Sequence, residues 1–333
     1  MAKTSTYSIG FAVGSGNRED VLDQISLISP SDTPFLATAP RTEANHAVHS
    51  WLTDTLAATS TAAVAEGADF VTSANTARAR LSNNLQIFRR TVVVSNTQRA
   101  VNPAGVDDEY KYQVFKAGRE LHRNMEKTFF AASGACATGS TAAARRMKRL
   151  DDFIANSVLA RSVRSWGEGV TIGASVTACA TALTDQRLNG MLEFMYHNGA
   201  NPDVIYLHSA AKRDIGQFSV SSNVRRNIDL ADKKLVAPVD FYDSEFGPIE
   251  LTLSRWVTRG ANTNVSSTSL IGSIYALERA LNRVAVLRPI KHIPLAPIGD
   301  AVRGMVLGEV TLECLNPTGN GRAWGIHALA LNT

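Results

Sequence analysis

Cysteine is scarce in this sequence, and what there is stands apart. Cys136, Cys179 and Cys314 are the only three in 333 residues. An odd number at wide spacing argues against a disulfide framework or a thiolate zinc site, and fits a reducing compartment. Long hydrophobic runs are missing too. No stretch approaches the ~18–20 apolar residues of a membrane-spanning helix, so no membrane partner is expected. Residues 1–16 hold Lys3 and the run IGFAVG, too short and too glycine-rich for a signal peptide. Charge of one sign is nearly absent as an excess. The formal net charge is +4, carried by arginine more than lysine. That is compatible with facing nucleic acid and too weak to argue for it. Catalytic signatures are also missing. Gly14-Ser15-Gly16 lacks the third glycine and the strand-turn-helix setting of a dinucleotide loop, and no phosphate-cradling GxxxxGK[ST] occurs. His46 and His49 fall on opposite faces of an expected strand, so they do not share a metal. No cofactor is expected, and Cys136 reads as a buried or half-buried thiol.

What is present is a helix. Residues 107–134, DDEYKYQVFKAGRELHRNMEKTFFAASG, are the longest run that reads as one amphipathic rod. Tyr110, Val114, Ala117, Leu121, Met125, Phe129 and Ala132 recur at steps of three or four and share a face. Lys111, Lys116, Arg119, Glu120, Arg123 and Lys127 fall mostly elsewhere. Asp107, Asp108 and Glu109 put negative charge on the first turn, where free N–H groups favour it. Gly134 stands where a stop belongs. At about 1.5 Å per residue the rod is roughly 40 Å long.

Around it the chain has a definite order. Residues 1–16 read as an extended arm. In NREDVLDQISLISPSDTPFL (17–36), Asn17 caps a short helix with an apolar stripe of Val21, Leu22, Ile25 and Ile28. Pro30 ends it, residues 31–34 turn, and Phe35 and Leu36 anchor a strand. Residues 41–100 then run out through HAVHSWLTDTLA, across an Ala/Thr/Ser/Gly-rich tip over 57–77, and back through ARARLSNNLQIFRRTVVVSNTQRAV. Only Trp51, Phe70 and Phe88 are aromatic there. A lone hairpin buries too little surface to hold itself together in water. It should therefore lie on its own domain or on a neighbouring subunit. After the long helix, Arg145, Arg146, Lys148, Arg149, Arg161 and Arg164 form a basic cluster, read either as a nucleic-acid-facing patch or as a solvated loop. Residues 184–260 read as an α/β lobe: a helix carrying Leu188, Met191, Leu192 and Met195, the buried strand DVIYLH, a helix from Ser209, and two strands joined by a turn at 244–247. SIYALERAL, RVAVLRPIKHIPL, VRGMVLGEVTLECL and RAWGIHALAL read as strands returning to the long helix.

Arm, capped helix, long hairpin, long helix, α/β lobe and returning strands, in that order, resemble the tailed-phage major capsid proteins of the Hong Kong 97-type fold. NREDVLDQISLISPSDTPFL resembles the N-terminal helix and turn of one branch of that family. QIFRRTVVVSNTQRAVN (86–102) resembles the end of its extended loop leading into the spine helix. The resemblance implies an α+β fold with an N-terminal arm and short helix (1–40), an extended β-hairpin loop (41–100), spine helix and peripheral domain (101–183), axial domain (184–270) and returning, mostly peripheral strands (271–333). It implies a subunit that assembles with itself into pentamers and hexamers, forming an icosahedral shell around double-stranded DNA. A portal protein, a separate scaffolding protein and decoration proteins would be further partners, in a virion capsid assembled in the host cytoplasm. The loop tip would lie across an adjacent subunit, with Glu66, Asp69, Arg78 and Arg80 as intersubunit contacts. Arg145, Arg146, Lys148 and Arg149 would face the genome. Some members lock the shell through a lysine on the extended loop; residues 41–100 contain none, so no such crosslink is expected. Some carry a large N-terminal scaffolding segment; sixteen residues precede Asn17, so a separate scaffold, or none, is expected. Encapsulating-compartment shells share the fold, and a non-capsid shell subunit of that kind is one alternative. An enzyme with a site assembled from distant residues is the other.

Overall fold

The computed structural model describes residues 29–57, 59, 61, 63–69, 77–101, 105–131, 136–156, 183, 185–221, 240–257 and 271–327. The expected arm, the helix over 17–28, Arg161, Arg164 and Cys179 lie outside these residues. A short helix α1 (Pro34–Thr38) precedes strand β1 (Arg41–Glu43), and β2 (Val48–Thr53) pairs antiparallel with β3 (Ala79–Asn84). β4 (Gln86–Ser95) leads through α2 (Asn96–Ala100) to the long helix α3 (Glu109–Phe129). Then come α4 (Leu150–Asn156), α5 (Asp185–His197), β5 (Val204–Leu207), α6 (Ser209–Ser221), β6 (Phe241–Ser244), β7 (Gly247–Leu253) and β8 (Ile271–Leu277). β9 (Asn282–Leu295), β10 (Ala301–Cys314) and β11 (Gly321–His327) follow.

The first sheet has the order β1-β9-β10-β4, with β1 parallel to β9 and the other pairs antiparallel. The return limb of the hairpin therefore ends at Asn84. The next ten residues, expected to continue the hairpin, cross over to β10 instead. Their alternation explains this: Phe88, Val92 and Val94 are buried while Arg89, Arg90, Thr91 and Val93 are exposed, the pattern of a strand covered on one face. The cover is α3, whose Ala117 packs with Val92, Val94 and Val306. Helix and strand approach closely because β10 offers glycine at the crossing. A Cβ on Gly304 would collide with the Tyr110 hydroxyl, and one on Gly308 would sit 2.8 Å from Ile290 Cγ1 and 3.2 Å from Met125 Cε. Gly304→Val is accordingly expected to push the start of α3 off the sheet and cost about 1–3 kcal/mol, read as a lower urea midpoint.

α3 is shorter than its sequence pattern. It begins at Glu109 because the Asp108 carboxylate caps it, accepting from the Tyr110 N–H at 3.0 Å. It ends at Phe129, five residues before Gly134, because Phe129 and Phe130 both turn into the core with no measurable exposure. Twenty-one residues span roughly 30 Å. Phe35 and Leu36, expected to anchor the strand that follows, are buried in α1 just ahead of β1. Pro34 is preset for a first helical turn.

The second sheet, β11-β8-β5-β7-β6, is mixed, with β5 parallel to β7. All four residues of β5 are buried, as a central strand requires. Leu188, Leu192 and Met195 of α5 and Ile215 of α6 pack with Ile205, Leu207, Ile249, Leu251 and Ile274. β8 and β11 thus complete the α/β lobe, whereas the expectation sent every late strand to the long helix. Their apolar patterns suit either sheet, and sequence spacing does not choose between them. The lobe joins the rest through aromatic rings. Phe35 meets Phe129, Phe130 and Tyr206 at centroid distances of 5.4, 5.6 and 5.7 Å, and Phe130 meets Tyr275 at 5.3 Å. Such pairs add about 0.5–1.5 kcal/mol each beyond their buried area.

Candidate assembly surface

The β2–β3 hairpin has a fixed base and an open tip. At the base, the Trp51 indole N–H donates to the Cys314 carbonyl at 3.0 Å, and the Thr311 hydroxyl donates to the Asn84 carbonyl at 2.9 Å. Asn83 is 1% exposed and fully used. Its amide donates to the carbonyls of Leu312 and Lys148 at 2.7 and 3.1 Å, and its oxygen accepts the Lys148 N–H at 2.6 Å. His49 lies 3.2 Å from the Glu313 carboxylate. Buried bonds of this kind are costly to leave unmade, so the root of the hairpin is held in one orientation. Between Thr53 and Ala79 every described residue is exposed. Leu56 is 98% exposed and Val64 82%. Neither side chain covers anything in the subunit.

Glu66, Asp69, Arg78 and Arg80 all lie on this hairpin and all are exposed. They do not form one cluster. Arg78 pairs with Asp54 at 3.3 Å across the strands, and Arg80 donates to the Ser50 hydroxyl at 3.1 Å. Glu66 and Asp69 sit toward the tip.

Among the described residues, the basic cluster after α3 does not form an open patch. Arg149 is 5% exposed and donates to the Ala131 carbonyl at 3.0 Å. Lys148 donates to the Ser82 carbonyl at 3.0 Å, under the hairpin root. Arg145 pairs at 2.7 Å with Glu309, which is 2% exposed and also receives Arg288 at 2.8 Å. Two guanidiniums on one buried carboxylate satisfy a charge that would otherwise be costly to bury. Of the four residues expected to face a genome, three are engaged inside the subunit, and Arg146 is the exposed one.

Other charged groups missed by sequence reasoning are structural. Glu126 is fully buried, and its two oxygens accept the N–H groups of Phe35 and Leu36 at 2.9 and 2.8 Å. α1 has no side-chain cap of its own, so α3 supplies one. Burial pushes the Glu126 carboxyl up to about 7, and the two N–H bonds partly offset that. Asp151 accepts the Tyr275 hydroxyl at 2.6 Å and pairs with Arg322 at 3.1 Å; burial raises its pKa, with Arg322 opposing. Cys314 is buried and its thiol is pushed up to about 12, far from a reactive thiolate. Among the described residues, no group of three or more His, Cys, Asp or Glu side chains is placed to hold a metal ion.

A base anchored to the sheet, an uncovered tip and interior charges engaged in packing are features of a building block. A family model described as SU10 major capsid protein matches residues 4–327. The chain belongs to that family. The capsid protein is 25% identical to the major capsid protein of Escherichia phage Phieco32, over 92% of this chain and 93% of the relative. Among solved structures, the capsid of cyanophage A-1(L) matches with a TM-score of 0.60 at 13% identity, covering 93% of this chain and 97% of that one. The holo-SrpI encapsulin complex from Synechococcus elongatus matches with a TM-score of 0.54 at 10% identity, covering 95% of each. These likenesses establish the Hong Kong 97-type fold, α+β, for the capsid protein. It is a phage major capsid protein, a shell-forming structural subunit and part of the virion.

Proposed function

We propose that the capsid protein closes into pentamers and hexamers that tile an icosahedral head around double-stranded DNA, with the hairpin as the arm that reaches a neighbour. One observation carries this reading: the hairpin's root is locked to β10 while Leu56 and Val64 stand open at its tip. An adjacent subunit supplies the surface that the tip lacks. Head-to-tail contacts close into rings. A standard contact buries about 1,600 Å² in total, and many acting together hold a shell far more firmly than any pair. Glu66, Asp69, Arg78 and Arg80 are the intersubunit charges of this arm. In this scheme α3 is the spine, the first sheet belongs to the peripheral domain, and the second sheet with α5 and α6 is the axial domain. β8 and β11 then belong with the axial part of the chain. A portal protein and separate scaffolding or decoration proteins complete the head, which assembles in the host cytoplasm. The work is assembly, not catalysis.

Electron microscopy with light scattering tests the proposal. Closed shells holding nuclease-protected DNA support it. Subunits that stay monomeric with their native assembly partners present would sink it. Shells filled with protein cargo and free of DNA would move the protein to the encapsulating class.

A further inference from the structure

Helix α3 has two faces of opposite character. Ala117, Leu121, Met125 and Phe129 are buried. On the other side, Lys116, Arg119, Arg123 and Lys127 follow one another at steps of three, four and four, which keeps them on one face. The row is roughly 16 Å long. Arg119 and Lys127 are exposed, and Lys116 and Arg123 are half-buried. Among the described residues, none of the four has a carboxylate within ion-pair distance. Glu120, at the margin of the same face, is held by Arg90 at 2.7 Å. Two of the cations rest on aromatic rings instead. The Arg119 guanidinium lies 4.4 Å from the Phe115 ring centroid, and that of Arg123 lies 5.6 Å from the Trp256 centroid. A ring orients a guanidinium without neutralising it, as a carboxylate would. The row borders an open groove of about 420 Å³, with Tyr112, Phe115 and residues 29–31 on its walls.

We infer that this face binds the phosphate backbone of the packaged nucleic acid. The inference rests on the DNA-filled shell proposed above and names the surface within it. Three observations favour phosphate over a protein partner. Among the described residues no carboxylate neutralises the four cations, whereas Arg145, Lys148 and Arg149 are engaged inside the subunit. Phe115 is the one large hydrophobic side chain exposed on α3, at 57%, too little apolar surface for the core of a protein interface. Counting both strands, a duplex carries one negative charge about every 1.7 Å of its axis, so about 16 Å of duplex carries on the order of nine phosphates, enough to meet four cations whatever the sequence. Contact of this kind reads no bases, which suits a shell that must enclose a whole genome.

The test is salt-titrated binding of a short random-sequence duplex to the purified subunit, followed by fluorescence anisotropy. The variant K116Q/R119Q/R123Q/K127Q removes four positive charges, as does a scattered control, R41Q/R89Q/R213Q/K291Q, whose four residues are exposed elsewhere. Each takes the formal charge from +4 to zero. The row variant is expected to bind on the order of tenfold or more weakly at low salt, and its slope of log affinity against log salt should shrink by about 0.9 per lost contact. The control should keep most of both. R119K/R123K, which keeps the charge and changes the stacking, should stay near wild type and guards against a folding artefact. Equal losses in the row and control variants would reduce the effect to net charge and overturn the inference. Wild-type subunits that fail to bind the duplex at low salt would also overturn it. A row variant that binds DNA normally and fails to assemble would make the face a protein dock, with the same result. Electron microscopy of particles assembled with the native partners separates the two claims: wild-type shells that hold protein cargo and no DNA sink the proposed function, whereas DNA-filled wild-type shells with an unaffected row variant sink this inference alone.

Discussion

Replacing Glu126 with alanine is expected to destabilise the subunit by about 2–5 kcal/mol, a midpoint drop on the order of 5–10 °C by calorimetry. The carboxylate is the cap of α1, reaching it from a helix some ninety residues away. Its removal strands the N–H groups of Phe35 and Leu36 where water does not reach, each costing about 1–3 kcal/mol. Phe35 is also the ring that joins Phe129, Phe130 and Tyr206, so loss of the cap loosens the node between the two sheets. Glu126→Gln keeps the volume and one acceptor oxygen and turns an NH₂ toward the other N–H; it should fall between alanine and wild type. The same residue gives a pH signature. The carboxyl ionises near 4.5 in the unfolded chain and at about 7 in the folded one. Between those values the folded state holds the proton and the unfolded state does not, so stability from this group falls as pH rises from 4.5 to 7. The slope is at most about 1.4 kcal/mol per pH unit. Wild type should therefore exceed Glu126→Gln by more at pH 5 than at pH 8. A gap that stays constant or widens with pH would refute the assignment.

Local patterns carried much of this fold into the sequence. The 3–4 spacing of Ala117, Leu121, Met125 and Phe129 needs no knowledge of what α3 packs against. The run Val204–Leu207, buried throughout, needs only its flanking turns. The pairing of two strands about a weak tip was legible, whereas their register, Trp51 opposite Leu81 and Thr53 opposite Ala79, comes from the structure. What stayed hidden depends on partners far apart in sequence. Glu126 sits among charges that read as solvated. No sequence signal marks it, because Thr33 stands at the cap position of α1 and only the structure shows that its side chain makes no cap bond. Arg145 reads as basic surface until β10 brings Glu309 to it from 164 residues away. For Arg149 a clue was present, because Asp152 is three residues on and its carboxylate reaches back to the residue before α4. Gly304 and Gly308 look like weak points in a strand pattern, and only the crossing of α3 gives them a reason. The assembly surface was legible as a deficit, since residues 57–77 cannot bury themselves. Which charges would serve the interior and which the exterior was not, because both kinds look alike before the chain folds.

Replacing residues 54–78 with an Asn-Gly turn is expected to abolish shell formation while leaving the subunit folded. The register makes the graft direct: Thr53 and Ala79 are paired, and a two-residue turn of this type matches the twist of the strands it joins. Among the described residues, the buried contacts that fix the hairpin lie below the cut, and the exposed Arg78–Asp54 pair is lost with the segment. Trp51 on Cys314, Asn83 on Leu312 and Lys148, and Thr311 on Asn84 are all retained. The removed segment includes Leu56 and Val64, which cover nothing in the subunit, so the unfolding free energy should change by less than about 1 kcal/mol. Assembly should respond far more steeply. If each subunit extends one arm onto a neighbour, every contact in every ring loses its reach at once, and the gain from many simultaneous contacts disappears with them. Sedimentation and electron microscopy should then show folded monomers or small oligomers under conditions where the full chain closes into shells. Normal shells from the shortened chain would show that the hairpin is dispensable and would transfer the assembly role to the faces of the two sheets. An unfolded product would instead show that the tip packs on its own subunit, the other outcome that the weak hairpin allowed from the start.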